Sequence, residues 1–516
     1  MNGAESLVET LLACDVNVCF ANPGTSEMHF VAALDQYPDM RCILCLFEGG
    51  ASGAADGYFR MSGKVAVTLL HLAPGFGNAF SNLHNARKAH SGIVNVMGDH
   101  ATYHVKYETP LKGNTIGISQ AISHWTRMCD DATQVASDGA EAVRAARSNG
   151  GQIATLILPA NTAWEEAEKP AASAPPPKLR FPFDADIAAA AQLLKMPGAA
   201  LMIDGCSLYG AERLIAARIA KATGCRLMCP NFVSRLHRGV GSLLGNRLAY
   251  RLVDNQPVLS ETSVIVLCGA DRPVTFFAYP GKPILPEPPN CRIFELCSPD
   301  MDYIATLAAL ADILAATQIQ IGPEDLQQLD LPPRPTGPLT TEKLGQCIAA
   351  LMPENCIVID EAVSSSRVVT AATMGAKQHD WLNITGGAIG WGLAAAVGAA
   401  VACPDRKVIA LEGDGSAMYG IQALWTMARE NLDVTTIIFS NRGYRILHAE
   451  LANLGVDSAG LNSTRLFDVA NPILDFVALA RGHGVEALKV STAEEFAQAF
   501  ARAMNQTGPF LIEAVI

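Results

Sequence analysis

The chain has 516 residues, half of them hydrophobic and 17% charged, and carries a formal net charge of -12. A single hydrophobic core rarely serves such a length, so we expect about three domains of roughly 150–200 residues each and little disorder. The sequence contains no basic cluster and no apolar stretch of the roughly 18–20 residues that a membrane helix needs, which argues against nucleic-acid and membrane partners. Fourteen cysteines without disulfide-like spacing, and an N-terminus that lacks a basic signal region, predict a cytoplasmic protein with reduced thiols.

Two proline-rich segments divide the sequence into three blocks. Residues 168–177 and 331–338 are rich in proline, which favours the extended backbone of linkers. They predict three domains: a first block at 1–167, a central block at 185–330 and a third block at 339–516.

Each block alternates short apolar runs with helical patterns. Continuous apolar strands separated by helices are typical of parallel sheets that are covered on both faces. We therefore predict an α/β protein with three doubly wound, Rossmann-like domains, whose sites would lie beyond the carboxyl ends of the strands. The predicted strands are residues 18–21, 65–70, 93–97, 154–158, 199–203, 264–268, 356–359, 408–411 and 435–439.

In the first block, a glutamate opens a helical segment made of unusually small residues. Glu48 follows an apolar run, and residues 49–57 are nearly all glycine, alanine or serine. A glutamate here could simply interact with the helix dipole, but the small side chains suggest that another body packs closely on the helix. Just before it, Cys42 and Cys45 have metal-like spacing without a second pair, so we interpret residues 42–47 as a buried strand.

The central block and the start of the third block carry weaker signals. Residues 202–205 end a predicted strand, but no Gly-x-Gly-x-x-Gly follows, so nucleotide binding is not supported there. Residues 392–403 are rich in alanine and glycine and are expected to form a buried, closely packed helix.

The clearest chemical signal lies in the third block, at the ends of two successive strands. Residues 411–416 read Leu-Glu-Gly-Asp-Gly-Ser between a predicted strand and a helix, and Asn441 and Gly443 follow Asp414 by 27 and 29 positions. Glycines let backbone amides approach a phosphate at a helix start, and Mg²⁺ prefers a few hard oxygen ligands beside phosphate and water. The Asp414 carboxylate, the Asn441 amide oxygen and the Gly443 carbonyl could supply three ligands, although Gly-Asp-Gly alone would predict only a tight turn.

This motif resembles the signature of the thiamine diphosphate enzymes in the 2-oxo acid decarboxylase and acetolactate synthase superfamily, which is Gly-Asp-Gly followed later by Asn-Asn. Ser440 stands where the first asparagine usually is, whereas the metal-binding second asparagine is kept as Asn441. The resemblance extends over essentially the whole chain and implies that thiamine diphosphate and Mg²⁺ are the cofactors. It also implies that the motif holds the diphosphate through Gly413, Gly415 and Ser416.

The segment that Glu48 opens is similar to the activating-glutamate motif of the same superfamily. The resemblance implies that the Glu48 carboxyl group binds N1′ of the aminopyrimidine and drives the imino tautomer, which forms the C2 ylid. Counted back from Asp414, Ile389 would support the bent cofactor, and the carbonyl of Gly387 would meet its 4′-amino group. Ser364, after another predicted strand, would contact the diphosphate or simply cap a helix.

Within the superfamily, the motifs are most similar to those of benzoylformate decarboxylase. Residues 22–27 and 68–78 resemble its Asn-Pro-Gly-Ser and Leu-His patterns, with Thr25 and His71 at the serine and histidine positions. The resemblance implies that His71 relays protons and that Thr25 orients a substrate carboxylate. A structural histidine and a plain turn residue are the alternatives.

Two departures from benzoylformate decarboxylase bear on the substrate. The second histidine of that enzyme has no match, since the corresponding residues 275–279 contain no histidine. At the end of the predicted metal loop, Ile446 and Glu450 replace smaller or aromatic pocket residues. A glutamate in the pocket would disfavour a bare phenyl ring, which argues against benzoylformate itself.

Three further histidines of the first block lie near predicted strand ends: His100, His104 and His124. They lack the spacing of metal ligands, so a metal site is not supported. We expect that His100 or His104 could reach the cleft and contact substrate.

The resemblance implies a thiamine diphosphate-dependent 2-oxo acid decarboxylase and carboligase that acts through an ylid and an enamine on small 2-oxo acids and aldehydes. The alternatives are an acetolactate synthase-like transferase that joins two 2-oxo acids, and a regulatory or structural relative that only binds the cofactor. Acetolactate synthases bind FAD in the central block; the sequence shows no FAD signature and is shorter than theirs, so FAD is the less favoured cofactor. Because the two ends of the cofactor meet different subunits in the family, a homodimer or homotetramer with active sites at subunit interfaces is also implied.

Overall fold

Three separate β-sheets, each flanked by helices, make up the protein. The computed structural model describes residues 1–172, 174–456 and 458–516. The first sheet has six strands, the second five and the third seven. Neighbouring strands are parallel throughout the first two sheets and along nearly all of the third. This arrangement confirms the predicted α/β class with three helix-covered sheets.

The first sheet contains β1 (Val18–Ala21), β2 (Arg41–Leu44), β3 (Ala66–Leu70), β4 (Ile93–Asp99), β5 (Trp125–Met128) and β6 (Ile153–Pro159). It runs in the order β2-β1-β3-β4-β6-β5, so β2 and β5 are its edges. Every residue of β1, β3, β4 and β6 is buried, as expected for strands covered on both faces. The accompanying helices are α1 (Gly3–Ala13), α2 (Met28–Leu34), α3 (Glu48–Ser62), α4 (Leu72–Lys88), α5 (Thr115–Gln120), α6 (Val135–Ala146), α7 (Ala160–Trp164) and the short 3-10 helices Thr25–Glu27, Ala132–Gln134 and Ser148–Gly150.

The central block contributes β7 (Ala199–Ile203), β8 (Arg226–Cys229), β9 (Leu236–Arg238), β10 (Asn246–Arg247), β11 (Val264–Cys268) and β12 (Arg292–Cys297). The second sheet runs in the order β10-β8-β7-β11-β12 and therefore leaves β9 out. Its helices are α8 (Asp184–Leu193), α9 (Arg213–Thr223), α10 (Leu252–Leu259), α11 (Tyr303–Ile313) and the 3-10 helices Gly205–Leu208 and Pro323–Asp325.

The third sheet contains β13 (Cys356–Glu361), β14 (His379–Asn383), β15 (Val408–Gly413), β16 (Val434–Ser440), β17 (Glu486–Val490) and β18 (Phe510–Val515). It runs in the order β17-β18-β16-β15-β13-β14-β9, with β9 antiparallel to β14. The central block thus supplies one edge strand of the third sheet. This strand connects the central block to the third block. The helices are α12 (Thr341–Leu351), α13 (Ser366–Ala372), α14 (Gly392–Ala402), α15 (Asp414–Ala417), α16 (Ala423–Arg429), α17 (Arg445–Asn453), α18 (Leu461–Phe467), α19 (Phe476–Gly482) and α20 (Ala493–Asn505).

All nine predicted strands are present, with ends that differ by at most two residues from those expected. The domain boundaries drawn at the proline-rich segments stay a prediction. The interpretation of residues 42–47 as a buried strand is wrong in part, because β2 is an edge strand on which Cys42 is exposed. Cys45 is buried beyond its end, and burial raises the pKa of this thiol to about 12, which disfavours the thiolate that a metal site needs.

The small residues of α3 and α14 allow these two helices to pack directly on each other. A Cβ added to Gly53 of α3 would come within 2.6 Å of the Cβ of Ala394, and one on Gly398 of α14 would overlap the carbonyl oxygen of Ala54. The body that the sequence led us to expect against α3 is therefore α14 of the same chain. This contact joins the first block to the third and places the starts of both helices near the candidate site.

None of the helices among the described residues is both long enough and apolar enough to cross a membrane.

Candidate active site

The carboxyl ends of three strands are followed by residues in a strained backbone conformation. Leu72 follows β3 with φ 44°, Val363 follows β13 with φ 47°, and Arg442 follows β16 with φ 61°. Side chains other than glycine rarely adopt positive φ, a β-branched valine least of all, and such strain concentrates at functional sites. Each of the three adjoins a residue that the sequence assigned to the candidate site.

Asp414 opens α15, and its carboxylate is buried, with 4% of the residue exposed. Its Oδ1 accepts a hydrogen bond of 2.8 Å from the backbone N–H of Gly415, and its Oδ2 accepts one from the N–H of Arg442. Burial raises the pKa of Asp414, and the backbone donors counteract that shift. A buried carboxylate that meets mainly backbone amides is suited to a bound cation, which would offset the cost of burying the charge.

The other two proposed metal ligands lie in the loop that donates to Asp414. Asn441 and Gly443 flank Arg442, and Oδ1 of Asn441 accepts a hydrogen bond of 3.1 Å from the N–H of Gly443. The loop is compact, since a Cβ on Gly415 would overlap the ring of Tyr444. One carboxylate, one amide oxygen and one carbonyl oxygen therefore occur together at the carboxyl ends of β15 and β16. This donor set fits Mg²⁺, which prefers hard oxygen ligands and few of them from protein.

Glu48 is the first residue of α3 and is 8% exposed. Its Oε2 accepts a hydrogen bond of 2.9 Å from the side-chain amide of Asn78 on α4. Its Oε1 lies against Gly75, where an added Cβ would come within 3.0 Å of that oxygen. The carboxylate is thus held in one orientation by Asn78, while glycine at position 75 leaves room beside it.

Asn82 of α4 connects the start of α3 to the segment that precedes α14. Its amide nitrogen donates to the carbonyl of Gly49 at 2.7 Å and to the carbonyl of Gly390 at 3.1 Å. The residue is 2% exposed, so neither bond competes with water. The glutamate end of the first block and the glycine-rich segment of the third block therefore meet at one side chain.

Asn85, one turn further along α4, holds the backbone between the two proposed cofactor contacts Gly387 and Ile389. It donates to the carbonyl of Ala388 at 2.7 Å and accepts from the N–H of the same residue at 3.1 Å. Gly387 has φ 72°, a conformation that favours glycine, and both Gly387 and Ile389 are partly exposed. The backbone of this segment is therefore fixed while these two residues remain accessible.

A buried carboxylate of the third sheet supports the same segment. Oε1 of Glu361 accepts a hydrogen bond of 2.5 Å from the N–H of Gly390, and its Oε2 accepts one from the N–H of Gly392. Burial raises the pKa of Glu361 to about 7. Glu412 lies opposite Glu361 in the register of β13 and β15, and burial, reinforced by the charge of Glu361, raises its pKa as well. The start of α14 is thus anchored to the strand ends that carry the Gly-Asp-Gly motif.

His71 and Glu27 form a hydrogen-bonded pair at the end of β3. Nδ1 of His71 lies 2.9 Å from Oε2 of Glu27 and 3.1 Å from Oγ of Ser26. Glu27 is 3% exposed, whereas 20% of the His71 side chain is exposed. Position 24 requires glycine, because an added Cβ on Gly24 would overlap the imidazole ring. Since all of these contacts involve Nδ1, the second ring nitrogen, Nε2, is the one that can face a substrate.

The remaining proposed contacts are accessible. Thr25 begins the 3-10 helix that carries Glu27 and is exposed, as a substrate-contacting residue must be. Ser364 is also exposed, and α13 begins at Ser366 with Ser365 as its N-cap residue, so helix capping by Ser364 is not supported.

The three histidines after β4 and near β5 differ in their surroundings. Burial lowers the pKa of His124 to about 4, and its Nδ1 accepts a hydrogen bond from the N–H of Ile153, so it has a structural role. The rings of His100 and His104 are 5.5 Å apart, and Nε2 of His100 lies 2.9 Å from Oγ1 of Thr109. Within the described parts of the chain, no three side chains of histidine, cysteine, aspartate or glutamate are placed to hold a metal.

An aromatic wall from the central block adjoins Gly387. A Cβ on Gly387 would come within 2.8 Å of Cζ of Phe276, whose ring centroid is 5.3 Å from that of Tyr250. The Tyr250 hydroxyl donates a hydrogen bond of 2.9 Å to Glu450 of α17. Glu450 and Ile446, one helical turn apart and both partly exposed, therefore lie on the helix that meets this wall.

Several residues of this arrangement, among them Glu27 and three asparagines of α4, were not singled out from the sequence. Glu27 lies inside the segment that drew attention to Thr25, but only the folded chain shows its contact with His71. Asn78, Asn82 and Asn85 are spaced by four and three residues, which places them on one face of α4. From the sequence, this spacing could have indicated that the three asparagines lie on one helix face. It does not reveal what their side chains bind.

Comparison with known proteins identifies similar domains, sequences and structures among thiamine diphosphate enzymes. Residues 1–131 match the N-terminal TPP binding domain of thiamine pyrophosphate enzymes, and residues 362–514 match their C-terminal TPP binding domain. The chain is 46% identical to the putative acetolactate synthase large subunit IlvX of Mycobacterium tuberculosis, covering 100% of this chain and 99% of that protein. It is 30% identical to benzoylformate decarboxylase of Pseudomonas aeruginosa, and the match covers 98% of this chain and 97% of that protein. The structure of a thiamine diphosphate-dependent 4-hydroxybenzoylformate decarboxylase from Rhodococcus jostii RHA1 has a TM-score of 0.85 at 26% identity and covers 99% of this chain and 98% of that one.

Proposed function

The chain belongs to the thiamine pyrophosphate enzymes of the decarboxylase and acetolactate synthase family, and from this membership we propose that it is a Mg²⁺-dependent 2-oxo acid decarboxylase and carboligase. Such an enzyme releases CO2 from a 2-oxo acid and can join the remaining acyl unit to an aldehyde. The observation that carries the proposal is the pair of His71 and Glu27, which fixes an imidazole at the end of β3, where protons must be delivered.

Thiamine diphosphate, when bound, supplies a nucleophilic carbon and an electron sink for the cleavage next to the keto group. The protein would hold its diphosphate end through Mg²⁺ on Asp414, Asn441 and Gly443. The backbone amides of Gly413, Gly415 and Ser416 lie at the start of α15, and the exposed hydroxyl of Ser364 lies at the end of β13. Both would add donors to phosphate oxygens.

The aminopyrimidine end would lie against Glu48 and the segment that contains Gly387 and Ile389. The buried Glu48 carboxylate, oriented by Asn78, would bind the ring nitrogen, and the backbone carbonyl of Gly387 would accept from the amino group. Within each subunit, Asn82 and Asn85 fix the start of α3 and this segment, so each would be preorganised for the cofactor that it meets at a subunit interface.

His71 and Thr25 would act on the substrate. With Oε2 of Glu27 as the hydrogen-bond acceptor for the Nδ1–H of His71, Nε2 would be the nitrogen that gives and takes protons at the reacting carbon. The hydroxyl of Thr25, two residues before Glu27, would orient the substrate carboxylate that leaves as CO2. His100 and His104 remain candidates for a second substrate contact from the loop after β4.

We also propose that the active unit is a homodimer or a homotetramer with active sites at subunit interfaces. Helices α17 and α18 follow the proposed metal loop, and neither contains a buried residue in the single chain. Leu461 and Leu466 of α18 are 71% and 72% exposed, which suits a surface that a second subunit covers. We propose the cytoplasm as the compartment, because the spacing of the cysteines in the sequence does not resemble a disulfide framework.

The test is a panel of 2-oxo acids from aliphatic to aromatic, with CO2 and the organic product both identified. We expect CO2 release that requires thiamine diphosphate and Mg²⁺, with an aldehyde as product. Absence of CO2 release from every 2-oxo acid, with both cofactors bound, would reject the proposal.

An acetolactate synthase-like transferase is the second candidate, because the 46% identical relative carries that name. A cavity of about 750 Å³ at the carboxyl ends of the central strands, lined in part by Asp204, Tyr250 and Phe276, could take a further cofactor such as FAD. Formation of acetolactate from pyruvate, measured with and without FAD, separates the two functions. Acetolactate as the main product would favour the transferase.

A further inference from the structure

A single carboxylate on α17 is held by two tyrosines of the central block. The hydroxyl of Tyr250 donates a hydrogen bond of 2.9 Å to Oε1 of Glu450, and the hydroxyl of Tyr279 donates one to Oε2. Both tyrosine pKa values are raised, by burial first and by the Glu450 carboxylate second, so each hydroxyl stays protonated and donates. Both oxygens of the Glu450 carboxylate are therefore fixed in place by tyrosine donors.

This carboxylate lies close to the candidate active site. Helix α17 begins at Arg445, directly after the loop that carries Asn441 and Gly443. Glu450 is five residues into it, or roughly 8 Å along the axis at about 1.5 Å per residue. On the other side, Tyr250 packs on Phe276, and Phe276 adjoins Gly387. Two aromatic side chains, Tyr250 and Phe276, thus connect Glu450 to the segment proposed to hold the aminopyrimidine.

The surroundings of Glu450 combine negative charge with aromatic rings. The ring centroid of Phe276 lies 5.3 Å from that of Tyr250 and 4.7 Å from that of Phe277, and Phe276 and Phe277 are 42% and 53% exposed. Lys282 shows that a cation is tolerated here, since its ammonium group lies 5.3 Å from the ring centroid of Tyr279. Its Nζ donates to Asn453 at 3.2 Å rather than forming an ion pair with Glu450.

A fixed carboxylate among aromatic rings is an arrangement that recognises cations, because the charge and the ring faces both attract them. Resting on the proposed function, we propose that Glu450, with Tyr250 and Tyr279, selects 2-oxo acids whose distal end carries a guanidinium or ammonium group. The reacting 2-oxo acid end would face His71 and the cofactor, and the cationic end would meet Glu450. The same carboxylate would repel substrates with a distal carboxylate.

Three probes of similar length and different distal charge test the proposal. They are 5-guanidino-2-oxopentanoate, neutral 2-oxoheptanoate and anionic 2-oxoadipate. Each is measured twice on the holoenzyme, once as CO2 release and once as equilibrium binding by calorimetry. Binding does not require turnover, so the measurement reports on Glu450 even when no CO2 is released.

We expect the guanidino acid to bind at least tenfold more tightly than the neutral one, and the anionic acid to bind most weakly. Glu450→Gln should remove this preference, since the amide can still bond the tyrosines but has no charge. Tyr250→Phe should weaken it by a smaller factor. Glu354→Gln, at an exposed site elsewhere in the third block, is the matched control and should preserve the preference.

The outcomes separate this proposal from the function on which it rests. Equal binding of the three probes, or a preference that survives Glu450→Gln, overturns the role of Glu450 even if CO2 is released. If the guanidino acid is preferred but no CO2 forms, the recognition by Glu450 stands and the decarboxylase proposal fails. Lower thermal stability of Glu450→Gln with an unchanged preference would assign the cluster a purely structural role.

Discussion

The imidazole of His71 and the carboxylate of Glu27 lie 2.9 Å apart although 44 residues separate them in the sequence. The contact arises because β1 and β3 are neighbours in the first sheet, with Ala21 paired to Leu69, so the segments after both strands emerge side by side. A parallel sheet thereby brings a buried acid and a partly exposed base together at its carboxyl edge.

His71→Ala should lower kcat for CO2 release by about 100-fold or more, because a positioned acid–base group contributes roughly 10²–10⁴ in rate. Glu27→Gln should lower kcat by a smaller factor, about tenfold, because the imidazole remains but loses its fixed orientation. Steady-state CO2 release gives both values. His29→Ala, at an exposed position, serves as control and should keep the wild-type rate. An unchanged kcat in His71→Ala would remove the histidine from the mechanism.

Removal of Mg²⁺ with a chelator should release thiamine diphosphate, and added Mg²⁺ should restore binding. The reason is that a buried Asp414 carboxylate and the diphosphate repel each other unless a cation lies between them. Asp414→Ala should weaken Mg²⁺-dependent cofactor binding by at least about tenfold in a calorimetric titration. Asp405→Ala, exposed in the same block, is the matched control. Equal cofactor affinity in Asp414→Ala and the control would refute the ligand set.

Two glycine-to-alanine substitutions in helices should have opposite effects on stability. Gly398→Ala should destabilise by about 1–3 kcal/mol, because the new Cβ would overlap the carbonyl oxygen of Ala54 between α14 and α3. Gly482→Ala, where an added Cβ meets nothing within 4 Å, should stabilise by about 0.5–1 kcal/mol. Thermal unfolding midpoints measure both. A Gly398→Ala protein as stable as wild type would show that the helices are not in close contact.

Asn85→Ala should destabilise by about 1–3 kcal/mol, because it leaves the N–H and the carbonyl of Ala388 without their partner. It should also weaken cofactor binding, since Ala388 lies between Gly387 and Ile389. Asn505→Ala, at an exposed helix end, should change stability by no more than about 0.5 kcal/mol. Loss of stability without any loss of cofactor affinity would limit Asn85 to a structural role.

The fold could be predicted from local sequence because its strands are buried on both faces. Strands such as β3 and β15 are largely apolar, with Thr68 and Glu412 as their polar members, and the polar residues that follow them, His71 and Asp414, mark their carboxyl ends. The edge strand β2 was misjudged because its apolar sequence does not reveal that Cys42 lies at the border of the sheet. Strand β9 could not be assigned to the third sheet, since its partner β14 is far away in the sequence.

The candidate site was predictable where one short motif carries the chemistry and not where distant residues combine. Such motifs occur at the end of β15, at Gly413 to Ser416, and directly after β16, at Asn441. Both contain side chains of the type that binds metal. The contact of Glu27 with His71 and the two tyrosines around Glu450 depend on long-range packing. Glu450 was expected in the pocket, but only the structure shows that Tyr250 and Tyr279 fix its carboxylate.

We propose that the Glu48 carboxyl group at the start of α3 activates a coenzyme that the third block anchors. The most direct test is Glu48→Gln, with CO2 release and thiamine diphosphate affinity measured on the same preparation. We predict that turnover falls by at least about 100-fold while the cofactor dissociation constant changes by less than about tenfold, because the amide fills the same space but cannot act as the carboxyl group. Near-normal turnover in Glu48→Gln would contradict the proposed role of Glu48 as the group that activates the coenzyme.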